Sequence, residues 1–186
     1  MSEFYFYRRT RQDTRLKLQS APADVECSLW TPSLSRVLPP GAPKVSAGCY
    51  WLFHHSGVFY NRDLTYALLH SEDRTVHYST AYPGYFRFPF MQPQDLQIGN
   101  LWTDPQRRGE GLATLGVRSL VEAVSRPGRA IWYVVHHENR ASIGVVEKCG
   151  FQYYGRGVKQ ANPRTGMLPC YHITDRGPAP PELRAA

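Results

Sequence analysis

The chain has 186 residues, of which 42% are hydrophobic and 13% aromatic, with a formal net charge of +7. That length gives one domain, or one domain with an appendage, and the apolar content excludes a disordered chain. No apolar run approaches the ~20 residues of a membrane helix, and the first nine residues place their charge after the apolar stretch with no small-residue cleavage site, so a cytoplasmic protein is expected.

In chain order, Phe4-Tyr5-Phe6-Tyr7 reads as a short aromatic strand, and Val25 to Trp30 alternates as a second. Pro39-Pro40-Gly41-Ala42-Pro43 breaks regular structure. The aromatic stretch from Gly48 to Asn61 fits either a helix or a buried strand. Thr65–His70 and Thr75–Thr80 flank the polar turn Ser71–Arg74 as a hairpin. The segment 83–90, aromatic with two prolines, lies over a sheet or along its edge. Leu96 to Thr103 is a strand. A helical pattern runs from Leu112 to about Ser125 and stops at Arg126-Pro127-Gly128. Ala130 to Val135 is a continuous apolar strand. Asn139 caps a helix from Arg140 to Cys149, which Gly150 ends. Phe151–Tyr154 and Tyr171–Thr174 supply last strands. The fold class is therefore α/β, or mixed α+β, a sheet covered by helices. Residues 1–44 form an N-terminal extension of open role, 45–176 the main domain, and 177–186 a loose Pro-rich tail.

The four cysteines, Cys27, Cys49, Cys149 and Cys170, contain no Cys-x-x-Cys pair, so free thiols and no metal site are expected. Cys149 reads as a buried small apolar residue. The positive charge favours anionic partners. It is scattered, with no block of five or more basic residues, so nucleic acid is the less favoured one.

Chemistry concentrates where the strand ending at Thr103 passes through Gln106-Arg107-Arg108-Gly109-Glu110-Gly111 into a helix. Two glycines permit a sharp turn and close approach to a ligand. A helix N-terminus offers orphan N–H groups and partial positive charge to phosphate. Arg107 and Arg108 add cationic donors. No Lys follows for a P-loop, and Gly109-x-Gly111 lacks the third glycine of a dinucleotide fingerprint. On its own the loop is equally an ordinary turn opening a helix.

The stretch Asn139-Arg140-Ala141-Ser142-Ile143, closing with Glu147-Lys148-Cys149-Gly150-Phe151, changes that balance. Together the two segments resemble the GNAT acetyltransferase superfamily, with its Gln/Arg-x-x-Gly-x-Gly/Ala loop followed about thirty residues later by an Asn-initiated helix. The resemblance runs from Leu96 to Tyr154. It implies a mixed sheet whose fourth and fifth strands, here Leu96–Thr103 and Ala130–Val135, splay apart, with helices on both faces. It also implies acetyl-coenzyme A as co-substrate. The pantetheine arm would lie along Leu101, Trp102 and Thr103. The pyrophosphate would rest on Arg107, Arg108, Gly109, Glu110, Gly111, Leu112 and Ala113, with Thr114 near, and Asn139 and Ser142 would reach the arm from the second helix. The implied reaction is acetyl transfer to the primary amine of a small molecule, an amino sugar among the candidates. A non-catalytic acyl-CoA-binding or regulatory module is the alternative, and a homodimer is compatible with either.

Such a reaction needs an aligned amine, a base and oxyanion stabilisation. A backbone N–H near Leu101 or Trp102 would serve the oxyanion. The place of the family's usual Glu base falls near Gln97, so Asp95 acting through a water, His136 and His137 are the candidates. An imidazole suits a base at neutral pH, and adjacent strand residues face opposite ways. The usual Tyr acid falls at Val146, leaving Tyr133, Tyr153 and Tyr154 as nearby donors.

Overall fold

The structure, a computed structural model, describes residues 2–10, 22–161, 168–178 and 183. Strands β1 (Glu3–Thr10) and β2 (Glu26–Trp30) precede helix α1 (Lys44–Ser56). The hairpin β3 (Thr65–Ser71) and β4 (Arg74–Pro83) follows, then β5 (Leu96–Thr103), α2 (Leu112–Val124), β6 (Ala130–His136), α3 (Arg140–Lys148), β7 (Gln152–Gln160) and β8 (Cys170–Asp175). All eight strands form one mixed sheet in the order β2-β3-β4-β5-β6-β1-β7-β8. Only β5 and β6 pair in parallel, joined by the crossover helix α2.

The N-terminal stretch, whose role the sequence leaves open, supplies a central strand. β1 lies between β6 and β7 and pairs antiparallel with both. Its alternation explains the place: Tyr5 and Tyr7 bury themselves on one face and Phe6 on the other, as a strand covered on both sides requires. The sheet thus draws on residues on both sides of position 45. From position 179 on, the expected tail lies outside the described residues apart from Leu183, which packs against the core.

Two apolar layers sandwich the sheet. On the helix face, Leu120, Val121, Ile143 and Val146 of α2 and α3 pack onto Ala81, Leu96, Ile98, Ile131 and Tyr133. On the other, aromatic face, Tyr66, Tyr78, Tyr82 and Trp132 carry α1 and the segment 84–91. The ambiguous stretch after Gly48 resolves as helix. Tyr50 and Phe53, three apart, present one stripe to Phe59, Tyr82 and Tyr85, and Gly57 ends the helix with φ 78°. Phe90 seats the next expected cover, lying against Phe6 and Trp132.

Candidate active site

The site begins where β5 and β6 part. Their rungs are Leu96–Ile131, Gln97–Trp132 and Ile98–Tyr133, and none follows. A bulge bends β5 at that point. Tyr78 faces Trp102 and Thr80 faces Gly99, so β5 carries one residue more than β4, and Asn100 takes the left-handed conformation at φ 52°. The edge of β5 that faces β6 has no strand partner from Gly99 to Thr103. Its backbone polar groups there can receive an extended ligand arm.

Into this opening runs a cleft of about 390 Å³, within the size range of small-molecule sites. Leu101, Trp102 and Thr103 form one wall. Arg107, Arg108, Gly109, Gly111, Leu112, Ala113 and Thr114 form the second, and Ser142 of α3 lies on the third. Of the residues expected to hold the cofactor, only Glu110 and Asn139 stay off the lining. Glu110 binds Arg107, and the Asn139 side chain accepts the Ser142 N–H at 3.1 Å as a helix cap. The sequence reading missed Ala141, Val145 and Lys148, which also line the cleft. With Ser142 they occupy one α3 face at spacings of three and four, a signal the helical period carries.

Local geometry suits an anion. Gly109 and Gly111 have φ 92° and 81°, conformations that bulky residues avoid. α2 starts at Gly111 with no side-chain cap and no acidic residue in its first turn, so its leading N–H groups are left for ligand or water. The two arginines differ. Arg107 bonds Glu110 at 2.7 Å and Asp24 at 2.9 Å, so its charge is already matched. Arg108 is exposed and makes no ion pair among the described residues. It is a cation free to meet phosphate, as is Lys148 on the α3 side of the cleft. The residues therefore fit a phosphorylated, extended ligand.

Beneath the cleft, Thr103 Oγ1 lies 2.8 Å from His77 Nδ1. His77 is wholly buried, and burial pushes its pKa down to about 4, so the ring is neutral at physiological pH. α2 crosses it at Gly116, where an added Cβ would stand 2.6 Å from Nε2.

The expected bases separate clearly. Asp95, considered as a base through water, is a structural carboxylate instead. It is buried and accepts the Ala130 N–H at 3.0 Å, Trp132 Nε1–H at 2.9 Å and the Gln92 N–H at 3.0 Å. It also precedes the first rung, at the closed end of the strand pair. Gln97 is buried against Tyr82, with Oε1 lacking a partner. His136 and His137 end β6 at the open end, with ring centroids 4.7 Å apart. His136 rests on Phe4 and its Nδ1 receives the Glu138 N–H at 3.3 Å. His137 rests on Tyr5, and its Nδ1 lies 3.2 Å from the Glu3 carbonyl oxygen. A carbonyl only accepts, so His137 Nδ1 carries the proton and Nε2 keeps its lone pair, 3.9 Å from a Glu138 oxygen.

Val146, at the usual acid position, is fully buried in the core, while its neighbour Val145 faces the cleft. Tyr133 is the phenol at the fork. It forms the last rung with Ile98 and hydrogen-bonds Ser142, a cleft residue. Burial pushes its pKa up to about 12, so it is a proton donor and not an anion.

Residues 89–159 match the family of FR47-like proteins. No curated protein matches the chain in sequence. Solved structures share its fold at low identity. An acetyltransferase of the GNAT family from Colwellia psychrerythraea superposes with TM-score 0.53 at 12% identity, covering 82% of this chain and 53% of its own. A GCN5-related N-acetyltransferase from Sphaerobacter thermophilus gives 0.56 at 15%, covering 83% and 49%. A tandem GNAT protein from the clavulanic acid biosynthesis pathway gives 0.56 at 14%, covering 96% and 55%. The chain thus spans about half the length of these relatives.

Proposed function

We propose that this chain, which shares the fold of GNAT-family acetyltransferases, is an acetyl-CoA-dependent N-acetyltransferase acting on the primary amine of a small molecule. The observation that carries this reading is the forked β5–β6 pair, with a phosphate-competent helix N-terminus on its cleft and two histidines where β6 ends beyond the last rung. Acetyl-CoA would supply the activated acyl group. The free edge of β5 would hold its arm through backbone groups at Leu101, Trp102 and Thr103. The first turn of α2 and Arg108 would take its phosphates, and Ser142 and Val145 would close the α3 side.

Four side chains divide the proton traffic. His137 Nε2 accepts a proton from the acceptor ammonium, which frees the amine lone pair to attack the thioester carbonyl, and Glu138 stabilises the imidazolium that forms. A backbone N–H beside Leu101 or Trp102, lacking a strand partner, stabilises charge on the carbonyl oxygen. Tyr133 donates a proton to the departing sulfur, and Ser142 orients its hydroxyl. The protein is expected in the cytoplasm, where both reactants are at hand.

Gln97 and Val146, in place of the usual base and acid, favour a second reading as a non-catalytic acyl-CoA-binding module. One experiment separates the two: coenzyme A thiol release over a broad amine panel, alongside acetyl-CoA binding by calorimetry. Binding with release at background across the panel would sink the enzyme and leave the module. Absence of binding would sink both.

A further inference from the structure

Five arginines of this protein sit beside carboxylates. Arg74 meets Asp104, Arg107 meets Asp24 and Glu110, Arg126 and Arg129 meet Asp63, and Arg156 meets Glu3 and Asp175. Arg87 and Lys159 depart from the pattern. Each lies over the ring of Tyr171, with Arg87 Cζ at 5.5 Å and Lys159 Nζ at 5.8 Å from the centroid. Among the described residues, neither has a carboxylate within ion-pair distance. A cation held over an aromatic face keeps its N–H donors and its charge available to an anion.

Their position ties them to the end of β6. Tyr171 on β8 meets Phe4 on β1 at 5.1 Å, edge to face. Phe4 in turn meets His136 at 5.4 Å. The strand between them, β7, offers Gly157 at the level of Phe4, so no side chain intervenes. Phe88 stacks on Tyr171 at 5.3 Å and fixes its ring. Arg87 is anchored as well, since its Nε donates to the Pro169 carbonyl at 3.0 Å, and its own carbonyl receives the Tyr171 N–H at 2.9 Å. An aromatic floor therefore runs from the end of β6 to a pair of cations, and from β1 to β8 it crosses about 10 Å at ordinary strand spacing.

We propose that this floor is the acceptor subsite, and that the acceptor amine carries an anionic group, carboxylate or phosphate, held by Arg87 and Lys159 three strand spacings, roughly 14 Å, from the reacting nitrogen at the end of β6. The inference rests on the acetyltransferase reading for its amine end and on the cation–Tyr171 geometry for its anionic end. It also accounts for basicity that the co-substrate leaves unmatched, since the cleft takes up only a few of the 22 Lys and Arg residues.

The test uses four probes of one length: 11-aminoundecanoate with its neutral amide, and 11-aminoundecyl phosphate with 11-aminoundecanol. Turnover is read as coenzyme A release, and binding is read by calorimetry on the full chain with coenzyme A present. At least one anionic probe should exceed its neutral partner about tenfold in kcat/KM and in affinity. Which pair shows the larger gap tells carboxylate from phosphate. R87Q and K159Q should each collapse that gap and leave the neutral probes unchanged. R8Q, which removes a cation elsewhere on the same face, should preserve it. Equal handling of charged and neutral probes would overturn the proposal, as would a preference that survives both R87Q and K159Q, or no binding of any probe. If no probe turns over but the anionic ones bind and the variants abolish that binding, acetyl transfer fails and the anion subsite stands. K159Q changes an exposed side chain, so the outcome does not depend on R87Q folding.

Discussion

Ile98 and Tyr133 form the last rung between β5 and β6, and one residue further the two strands part. The rung marks where the strands part and carries Tyr133, whose hydroxyl hydrogen-bonds the cleft residue Ser142. With its pKa pushed up to about 12, Tyr133 stays protonated across any practical assay range. Tyr133→Phe should lower kcat by about 10²-fold with little change in KM for the co-substrate, and it should leave the shape of the pH–rate profile below pH 10 unaltered. A new or missing alkaline limb in that profile would count against its role as donor.

The two histidines should separate kinetically. His137 keeps a lone pair at Nε2, whereas His136 Nδ1 accepts a backbone N–H and its ring leans on the acceptor floor. His137→Gln should reduce kcat with little change in KM for the amine. His136→Gln should act mainly on KM for the amine. Equal effects of both on kcat, measured by steady-state kinetics from pH 5.5 to 9, would remove this assignment.

Arg107 and Arg108 are neighbours with different duties. Arg108→Ala should weaken acetyl-CoA binding roughly three- to thirtyfold, the value of one charge-assisted contact to phosphate. Arg107→Ala should change affinity by less, because its charge is already matched by solvent-screened contacts to Asp24 and Glu110. Titration calorimetry at two salt concentrations checks this, since only the Arg108 variant should lose salt dependence.

His77 predicts how stability follows pH. In the unfolded chain it binds a proton below the ordinary imidazole pKa of 6.5, but the folded protein refuses that proton until about pH 4. The unfolded state therefore binds more protons in between. The contribution is complete above pH 6.5 and is lost progressively as the pH falls toward 4, by roughly 3 kcal/mol in total. Urea unfolding at pH 7.5 and 5.0 should show this loss, and it should shrink in His77→Gln. An equal slope in the variant would assign the acid sensitivity to other groups.

Gly116 tests the same contact from above. In Gly116→Ala the methyl group would meet His77 Nε2 at 2.6 Å and Ser79 Oγ at 3.0 Å, so α2 must lift or His77 must yield. Overpacking of this kind costs about 1–3 kcal/mol, more than the helix propensity of alanine returns. The urea midpoint should fall, and because α2 carries the phosphate end of the cleft, acetyl-CoA affinity should fall with it. Unchanged stability would mean that His77 has room to rotate away.

The local parts of the site were readable in the residues. β5 spans Leu96–Thr103 as its alternation indicates, α2 opens at Leu112 behind Gly111, and Asn139 caps α3. These features depend on neighbours within a few positions. What depends on distant partners was not readable. Phe4 pairs with His136 and Gly157, and nothing near Phe4 specifies either. Asp95 resembles a free carboxylate until the fold brings Ala130 and Trp132 to it. On α3 one residue is a turn of about 100°, enough to send Val146 into the core and Val145 to the cleft.

The central place of β1 also bears on how the chain is made. Its partners β6 and β7 are translated more than a hundred residues after it. At typical synthesis rates of about 5–20 residues per second, the first strand waits on the order of ten seconds for them. The antiparallel ladder of β2 to β5 can assemble meanwhile from nearby segments, whereas the half that bears the histidines and the cation pair must await one long-range closure. Folding of this protein should therefore be slow for its size, with the substrate-binding half acquired last.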